Sequence, residues 1–417
     1  MQERVDVAVV GAGAAGLMAA IWAGRAGARV VAVDGARTIG AKILVAGGGR
    51  CNVTHHAVRE QDYAGSTAGA IRAVLRRFDV RRTVEFFAEL GVELKREETG
   101  KLFPVTDRAR TVLEALLGAA RQAGAEVVHP WRVGSVRVAG DGFVIARSDA
   151  AGEMRARRVV MATGGMALPR SGSDGAGYGV VRSLGHTVTE RVFPALVPLV
   201  VEERFVHELS GLSVRATVEV RAGSGRKLAS FTNSTLCTHF GLSGPSVLDA
   251  SRYYLDARGR DEGAHVRINW SPGRSLEEVD ELLVSRRGVS PARVLSGAPI
   301  GLPERLSRAL CAQAGVEASA TGEHVSRERR RALAATVTEM RVAVTGDRGF
   351  AHAEATAGGV PLSEVELETM ESKVCPGLHI CGEVCDVDGR IGGFNFQWAW
   401  SSGQVAGSAA GRLTTTA

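Results

Sequence analysis

Residues 5–34 read V-D-V-A-V-V-G-A-G-A-A-G-L-M-A-A-I-W-A-G-R-A-G-A-R-V-V-A-V-D, and few folds accommodate that order. Val5, Val7, Val9 and Val10 make a short β-branched run, the signature of a parallel strand buried on both faces. Gly11, Gly13 and Gly16 follow at G-x-G-x-x-G spacing, and an Ala-rich stretch then predicts a helix to about Gly27. Arg29 to Val33 reads as a second strand with Asp34 at its end. Each part has a task in dinucleotide binding: a tight turn at Gly11, backbone approach to a pyrophosphate at Gly13, and close helix–strand packing at Gly16. The helix amino end, with Ala14 and Ala15 in its first turn, offers free N–H groups and partial positive charge to phosphates. Asp34 follows Gly11 by 23 residues, where a carboxylate accepts hydrogen bonds from a ribose.

The run from Val7 to Ala23 carries no charge, but its glycines, its lack of a basic flank and the acid at Asp6 argue against an export or membrane segment. With 417 residues and 45% apolar content, the chain is long enough for two or three domains with large cores. The six cysteines are too sparse for a secreted disulfide framework, so a cytoplasmic location is expected. The net charge of +6 comes from arginines spread along the chain, so nucleic acid is only a minor candidate partner.

Residues 36–54 contain A-G-G-G-R-C-N-V-T from Ala46. Gly47 to Gly49, with Gly48 central, suit a loop whose backbone touches a ligand. Lys42 and Arg50 bracket it as cations for a phosphate or a reduced, anionic ring, and Asn52 offers an amide to a heterocycle edge. Cys51 is a candidate redox thiol or simply a packed contact. Two amphipathic helices are expected over 66–91. G-K-L-F-P-V then opens at Gly100, and Thr106 or Asp107 is expected to cap a helix running to about Gln122. Val127–Val128, Val133–Val138 and Phe143–Arg147 read as a β-meander, with Gly140-Asp141-Gly142 as a hairpin turn. The run ending in Ala162-Thr163-Gly164-Gly165 returns to the parallel sheet and sets small residues beside a cofactor.

No second G-x-G-x-x-G follows a strand, so a separate NAD(P) domain is not expected. From Leu196 the texture becomes β-rich, with T-L-C-T-H-F-G-L-S-G-P at 235–245 read as an interruption carrying His239, a candidate catalytic residue. Residues 275–340 read as mostly helical, and R-E-R-R-R at 327–331 as a solvated basic face. Met340 to Thr345 is expected to be a strand rejoining the first domain. Near the carboxyl end, Gly382-Glu383 and Asp386 precede I-G-G-F-N-F-Q-W-A-W, where Glu383 or Asp386 would take a ribityl hydroxyl. A helix starting near Asn395 or Phe396 would point N–H groups at a flat ring, with Gly393 and Phe394 at its mouth. Cys375, His379, Cys381 and Cys385 lack a C-x2-C knuckle, and no metal site is expected.

With both ends read, the chain resembles the BaiN-like flavoprotein family, which includes aminoacetone oxidases and bile-acid enone reductases. The strings that carry the likeness are G-A-G-A-A-G-L at 11–17, A-G-G-G-R-C-N-V-T at 46–54, G-K-L-F-P-V at 100–105, A-T-G-G at 162–165, T-H-F-G-L-S-G-P at 238–245 and G-E-V-C-D-V-D-G-R-I-G-G-F-N-F-Q-W-A-W-S-S-G from Gly382. The resemblance implies an α/β fold: a glutathione-reductase-type Rossmann FAD domain at 1–195 and 340–417. An inserted β-rich, barrel-like domain would occupy 196–272 and a helical segment 273–339. It implies FAD at Gly11, Gly13, Gly16 and Asp34, at Arg50 to Asn52, at Ala162 to Gly164 and at Gly382 to Asn395. Val133, at the start of its strand, joins these as a cofactor-binding position. Three features depart from the family pattern: Asp34 in place of Glu, Cys237 in place of an aromatic, and M-A-L-P at 166–169 without Ser-Tyr before Pro. The expected activity is hydride transfer between FAD and a small organic substrate. Two directions stay open, oxidation of an amine or alcohol with oxygen and reduction of an activated double bond with transiently docked NAD(P)H. The rival reading is an RNA-directed or non-catalytic flavoprotein.

Overall fold

The apolar run at the amino end is strand Val5–Val10, and the computed structural model, which describes residues 4–412, places it at the centre of a nine-stranded sheet. Val30–Val33 lies parallel to it on one side and Glu153–Met161 on the other. Glu126–Val128 and Leu378–Ile380 extend the parallel set outward. Val7, Ala8 and Val9 are fully buried, as an uninterrupted apolar strand covered on both faces requires. The strand Glu153–Met161 does double duty. Its first residues pair antiparallel with Gly142–Arg147, which pairs in turn with Val133–Ala139, and its last residues run in the parallel sheet. The meander is therefore made of these three strands. Glu126–Val128, expected in it, is instead the edge of the parallel sheet.

Two helices organise one face. The glycine-loop helix is Ala14–Arg25 and the C-terminal helix is Phe394–Gly411. Gly403, Gly407 and Gly411 recur every fourth residue and form one stripe. A β-carbon on them would lie 2.5, 2.2 and 2.6 Å from the carbonyl oxygens of Ala15, Ala19 and Ala23 respectively. The contacts rise together in both sequences, so the helices run parallel and their amino ends point the same way. Gly403 sits over Ala15; Phe394 is nine residues earlier and Ala14 only one. The C-terminal helix thus overhangs its partner by eight residues, about 12 Å at 1.5 Å per residue.

The described residues fall into two units, one from residues 4–194 and 354–412, the other Ala195–Ala353. The second unit holds a seven-stranded antiparallel sheet whose edge strands are Met340–Val342 and Val344–Asp347. One residue, Ala343, joins these two edges, so the sheet curls round on itself in a barrel-like closure. Met340–Thr345 therefore belongs to the insert, not to the first domain as expected. Residues 235–245 are likewise no interruption: strand Lys227–Thr238 ends within them and turns at His239 and Phe240 into strand Gly241–Ser243. Helices Leu276–Ser285, Pro291–Ser296, Glu304–Gln313 and Arg327–Thr338 complete this unit, with Leu295, Leu306, Leu310 and Leu333 buried in its core. In the first unit the helix Ala109–Gln122 begins after Arg108 without a side-chain cap, because Asp107 sits at φ 52° and gives its carboxylate to Lys95 and Arg50. No helix among the described residues is long and apolar enough to cross a membrane.

Candidate functional site

The glycine loop is built for close approach on one side and openness on the other. A β-carbon at Gly11 would meet the Ala162 carbonyl at 2.4 Å, and one at Gly16 would meet the Gly11 carbonyl at 1.8 Å. One at Gly13 would meet nothing within 4 Å. Gly13 also caps the helix without a side-chain hydrogen bond, and no acid lies in its first turn, so the N–H groups at Ala14 and Ala15 look outward. Asp34 stands at the predicted place, where its Oδ2 accepts from the Ala12 amide at 2.7 Å and its Oδ1 from Ala36 at 2.8 Å. The carboxylate therefore braces the loop, and each oxygen keeps a further lone pair for a ribose hydroxyl.

The chain's other end arrives beside this loop. A β-carbon at Gly382 would touch the Ala15 methyl at 2.7 Å, and Trp398 Nε1 donates to the Gly382 carbonyl at 3.0 Å. Lys42 Nζ meets Glu383 Oε2 at 2.5 Å and lies 3.4 Å from Ser173 Oγ, while the second Glu383 oxygen is buried without a partner. Asn52 is 8% exposed, and its Oδ1 is likewise buried and unpaired. Thr163 Oγ1, in the strand-end string that lies against Gly11, is a third such atom. Buried polar atoms are ordinarily satisfied, and three orphans along one set of motifs fit the polar groups of a bound cofactor. Gly48 adjoins them with open space where its side chain would be, and half-buried Val133 packs on the first unit's core. Asp386 is half-buried, and its backbone is bonded to Val360 and Ser66.

The C-terminal helix starts after the glycines, one or two residues earlier than expected. Gly393, at φ 93°, is its cap, and a β-carbon there would lie 2.6 Å from the Thr54 backbone. No side chain caps the helix and its first turn holds no acid. Asn395 does not face outward with its amide: it donates to the Gly389 carbonyl at 3.0 Å and accepts from the Gly389 amide at 2.8 Å, closing the preceding loop. The backbone N–H groups are what this helix end has to offer. Phe394 is buried, its ring stacked 5.0 Å from His55 and its carbonyl accepting from Tyr63 at 2.8 Å, so its side chain serves packing.

Two other candidates, Arg50 and Cys51, are tied up within the first unit. Arg50's guanidinium hydrogen-bonds Glu97 at 2.6 Å, lies 3.5 Å from Asp107 and rests 4.0 Å over the Phe103 ring, so its charge is already neutralised. Cys51 is fully buried at φ 62°, and burial pushes its thiol up to about 12. A thiol that stays protonated is no redox nucleophile; its contribution is the turn that aims Asn52.

His239 lies in the second unit, exposed at the tip of a hairpin and edge-on to Phe240 at 5.1 Å. Among the described residues no group of three or more His, Cys, Asp or Glu is placed to hold a metal, and His379 bonds the Thr369 carbonyl at 2.9 Å.

Sequence reasoning missed the polar pins of the C-terminal helix. Buried Gln397 accepts from Thr54 Oγ1 at 2.7 Å and donates to the Phe78 carbonyl at 3.0 Å, and Ser401 donates to the same carbonyl at 2.7 Å. The available signal was Gln397 and Ser401, one helical turn apart and flanked by Trp398 and Trp400 on a helix without charged residues.

The outward-facing amino ends of two parallel helices, offset along one direction and bordered by orphaned acceptors, fit FAD. Gly13 to Ala15 would take the phosphates, Asp34 a ribose, Glu383 and Thr163 hydroxyls of the linking chain, and Asn52 with the C-terminal helix end the ring.

Comparison with known proteins agrees. The family described as HI0933-like protein Rossmann domain matches residues 5–409. The 3-dehydro-bile acid delta(4,6)-reductase of Clostridium scindens is 34% identical over 97% of this chain and 98% of its own length. The ribosomal RNA dihydrouridine synthase of Escherichia coli is 32% identical over 96% of each. Among solved structures, 3-ketosteroid delta1-dehydrogenase from Sterolibacterium denitrificans shares the fold at a TM-score of 0.52 and 13% identity, covering 98% of this chain and 99% of that one.

Proposed function

The chain belongs to the HI0933-like protein Rossmann family and is an FAD-dependent oxidoreductase, and on that premise we propose that it is a reductase, saturating a C=C bond conjugated to a carbonyl at the expense of NAD(P)H. The observation that carries the reductive direction is the pair of relatives. A bile-acid delta(4,6)-reductase and an RNA dihydrouridine synthase match the chain at 34% and 32% identity, and each name denotes addition of two hydrogens to such a bond. Bound FAD would supply the hydride carrier. With FAD relaying a hydride from NAD(P)H, the β carbon would gain that hydride, the π electrons would shift towards the carbonyl oxygen, and the α carbon would take a proton from solvent, leaving NAD(P)+ and the saturated ketone. The amino end of helix Phe394–Gly411, which has no side-chain cap and no first-turn acid, would receive the ring. Such an end favours negative charge by about 1–2 kcal/mol in a partly buried setting. Asn52 and Glu383 keep acceptors in place where water is excluded.

Anaerobic mixing tests this. NADH or NADPH should bleach the bound flavin, and an enone such as cyclohex-2-enone or a 3-oxo-Δ4 steroid should restore its colour and leave as the saturated ketone. Bleaching by amines or alcohols, with none by either nicotinamide, would overturn the reductive reading in favour of an oxidase.

A second reading applies the same bond change to a uridine of RNA. It is favoured by the net charge of +6 and by exposed Arg327, Arg329 and Arg331 on the helix Arg327–Thr338. Reoxidation by ribosomal RNA with dihydrouridine formation, and none by enones, would select it.

A further inference from the structure

We propose that Lys101 is the cation that stabilises negative charge on the reduced cofactor, acting together with the amino end of the C-terminal helix. This rests on the flavin reading above. The chain has five lysines, and four of them have anionic partners. Lys42 meets Glu383, Lys95 meets Asp107, Lys227 meets Glu219 at 3.7 Å and Lys373 meets Glu366 at 3.9 Å. Lys101 is half-buried, and its ammonium takes part in no hydrogen bond or ion pair among the described residues. Its strand, Lys101–Pro104, pairs with Thr54–His55, and Lys101 stands opposite His55. Its Cε would lie 3.7 Å from a β-carbon at Gly392, the residue before the cap of helix Phe394–Gly411.

That position is electrostatically the wrong way round for a structural lysine. A helix amino end repels a cation, and this helix has no first-turn carboxylate to offset it. Neither carboxylate of the hairpin turn offsets it, since Glu97 is held by Arg50 at 2.6 Å and Glu98 is exposed and forms no ion pair with Lys101. The neighbouring imidazole does not relieve the imbalance: His55 has Nδ1 2.8 Å from the Ala57 carbonyl, Nε2 3.1 Å from the Thr99 carbonyl, and its ring on Phe394. An unpaired ammonium and an uncapped helix end side by side call for an anion between them. The reduced flavin ring is one, whereas the oxidised ring is neutral. The preference for the reduced state follows from that difference.

The test is the two-electron midpoint potential of the bound flavin, measured against reference dyes in the holoprotein. Lys101→Gln and Lys101→Met should keep one FAD per chain yet lower the reduction equilibrium at least tenfold, about 30 mV for two electrons. Lys101→Arg should stay near the parent, and so should Lys373→Gln on the exposed surface. An unmoved potential with a raised KM for substrate would place Lys101 on the substrate and overturn the proposal. So would loss of oxidised FAD from both uncharged variants, because that would place the lysine on the phosphates. A parent protein that binds no flavin would instead remove the underlying reading.

Discussion

Gly13 and Gly16 differ by three positions and by almost everything their missing side chains would meet. A methyl at Gly16 runs into the Gly11 carbonyl at 1.8 Å, whereas at Gly13 it enters open space. Gly16→Ala should therefore lower the melting temperature of the apoprotein, at a cost of about 1–3 kcal/mol as overpacking usually does. Gly13→Ala should leave apoprotein stability near the parent value and weaken FAD binding at least tenfold, because its methyl faces the phosphate position. Thermal melts with and without FAD separate the two; equal behaviour would contradict the division of labour between these glycines. The tight packing at Gly16 was legible in the sequence, because G-x-G-x-x-G spacing encodes local backbone geometry, and the open space at Gly13 is what a phosphate-facing role would need. What was illegible at this scale is partnership across the chain. Nothing near Arg50 in sequence announces that Glu97 will neutralise it, nor that Gln397 will bond Thr54 and Phe78. Cys51 was left open between a redox thiol and a packed contact, because its complete burial, which favours the packed contact, is decided by residues far along the chain.

At the scale of elements, the cradle depends on how closely two helices lie. Gly407 approaches Ala19 so tightly that a β-carbon would sit 2.2 Å from its carbonyl oxygen, and backbone cannot yield as a flexible side chain does. Gly407→Ala should destabilise the protein by about 1–3 kcal/mol, despite the gain of about 1 kcal/mol in helix propensity. Gly118, in the helix Ala109–Gln122, has nothing within 4 Å of its missing β-carbon. Gly118→Ala should stabilise by up to about 1 kcal/mol. Chemical denaturation of the pair checks the account: stabilisation by both would mean that the helices are free to part. Helix and strand positions here were largely readable from periodicity and glycine punctuation. The parallel orientation of the two helices was not, because their glycine and alanine stripes match only once the intervening chain has been folded.

The whole molecule returns to its first sheet after a long excursion. The strings at both ends made that return legible, since Leu378–Ile380 lies two strands from Val5–Val10 in one sheet. The point of return was not. Met340–Val342 and Val344–Asp347 are short alternating runs that fit either sheet by pattern, and pairing with His265–Asn269 and Leu199–Val201 keeps them in the insert. The second unit consequently owns both edges of its own sheet, and the first unit alone supplies every orphaned acceptor and both uncapped helix ends of the proposed cradle. Titration of the apoprotein with FAD, followed by visible absorbance and thermal melting, tests that assignment most directly. Saturation at one FAD per chain with a rise in melting temperature is the predicted result, equivalent to about 2.7 kcal/mol of stabilisation at a hundredfold excess over Kd. A chain that shows no saturable binding and melts at the same temperature with or without FAD would contradict it.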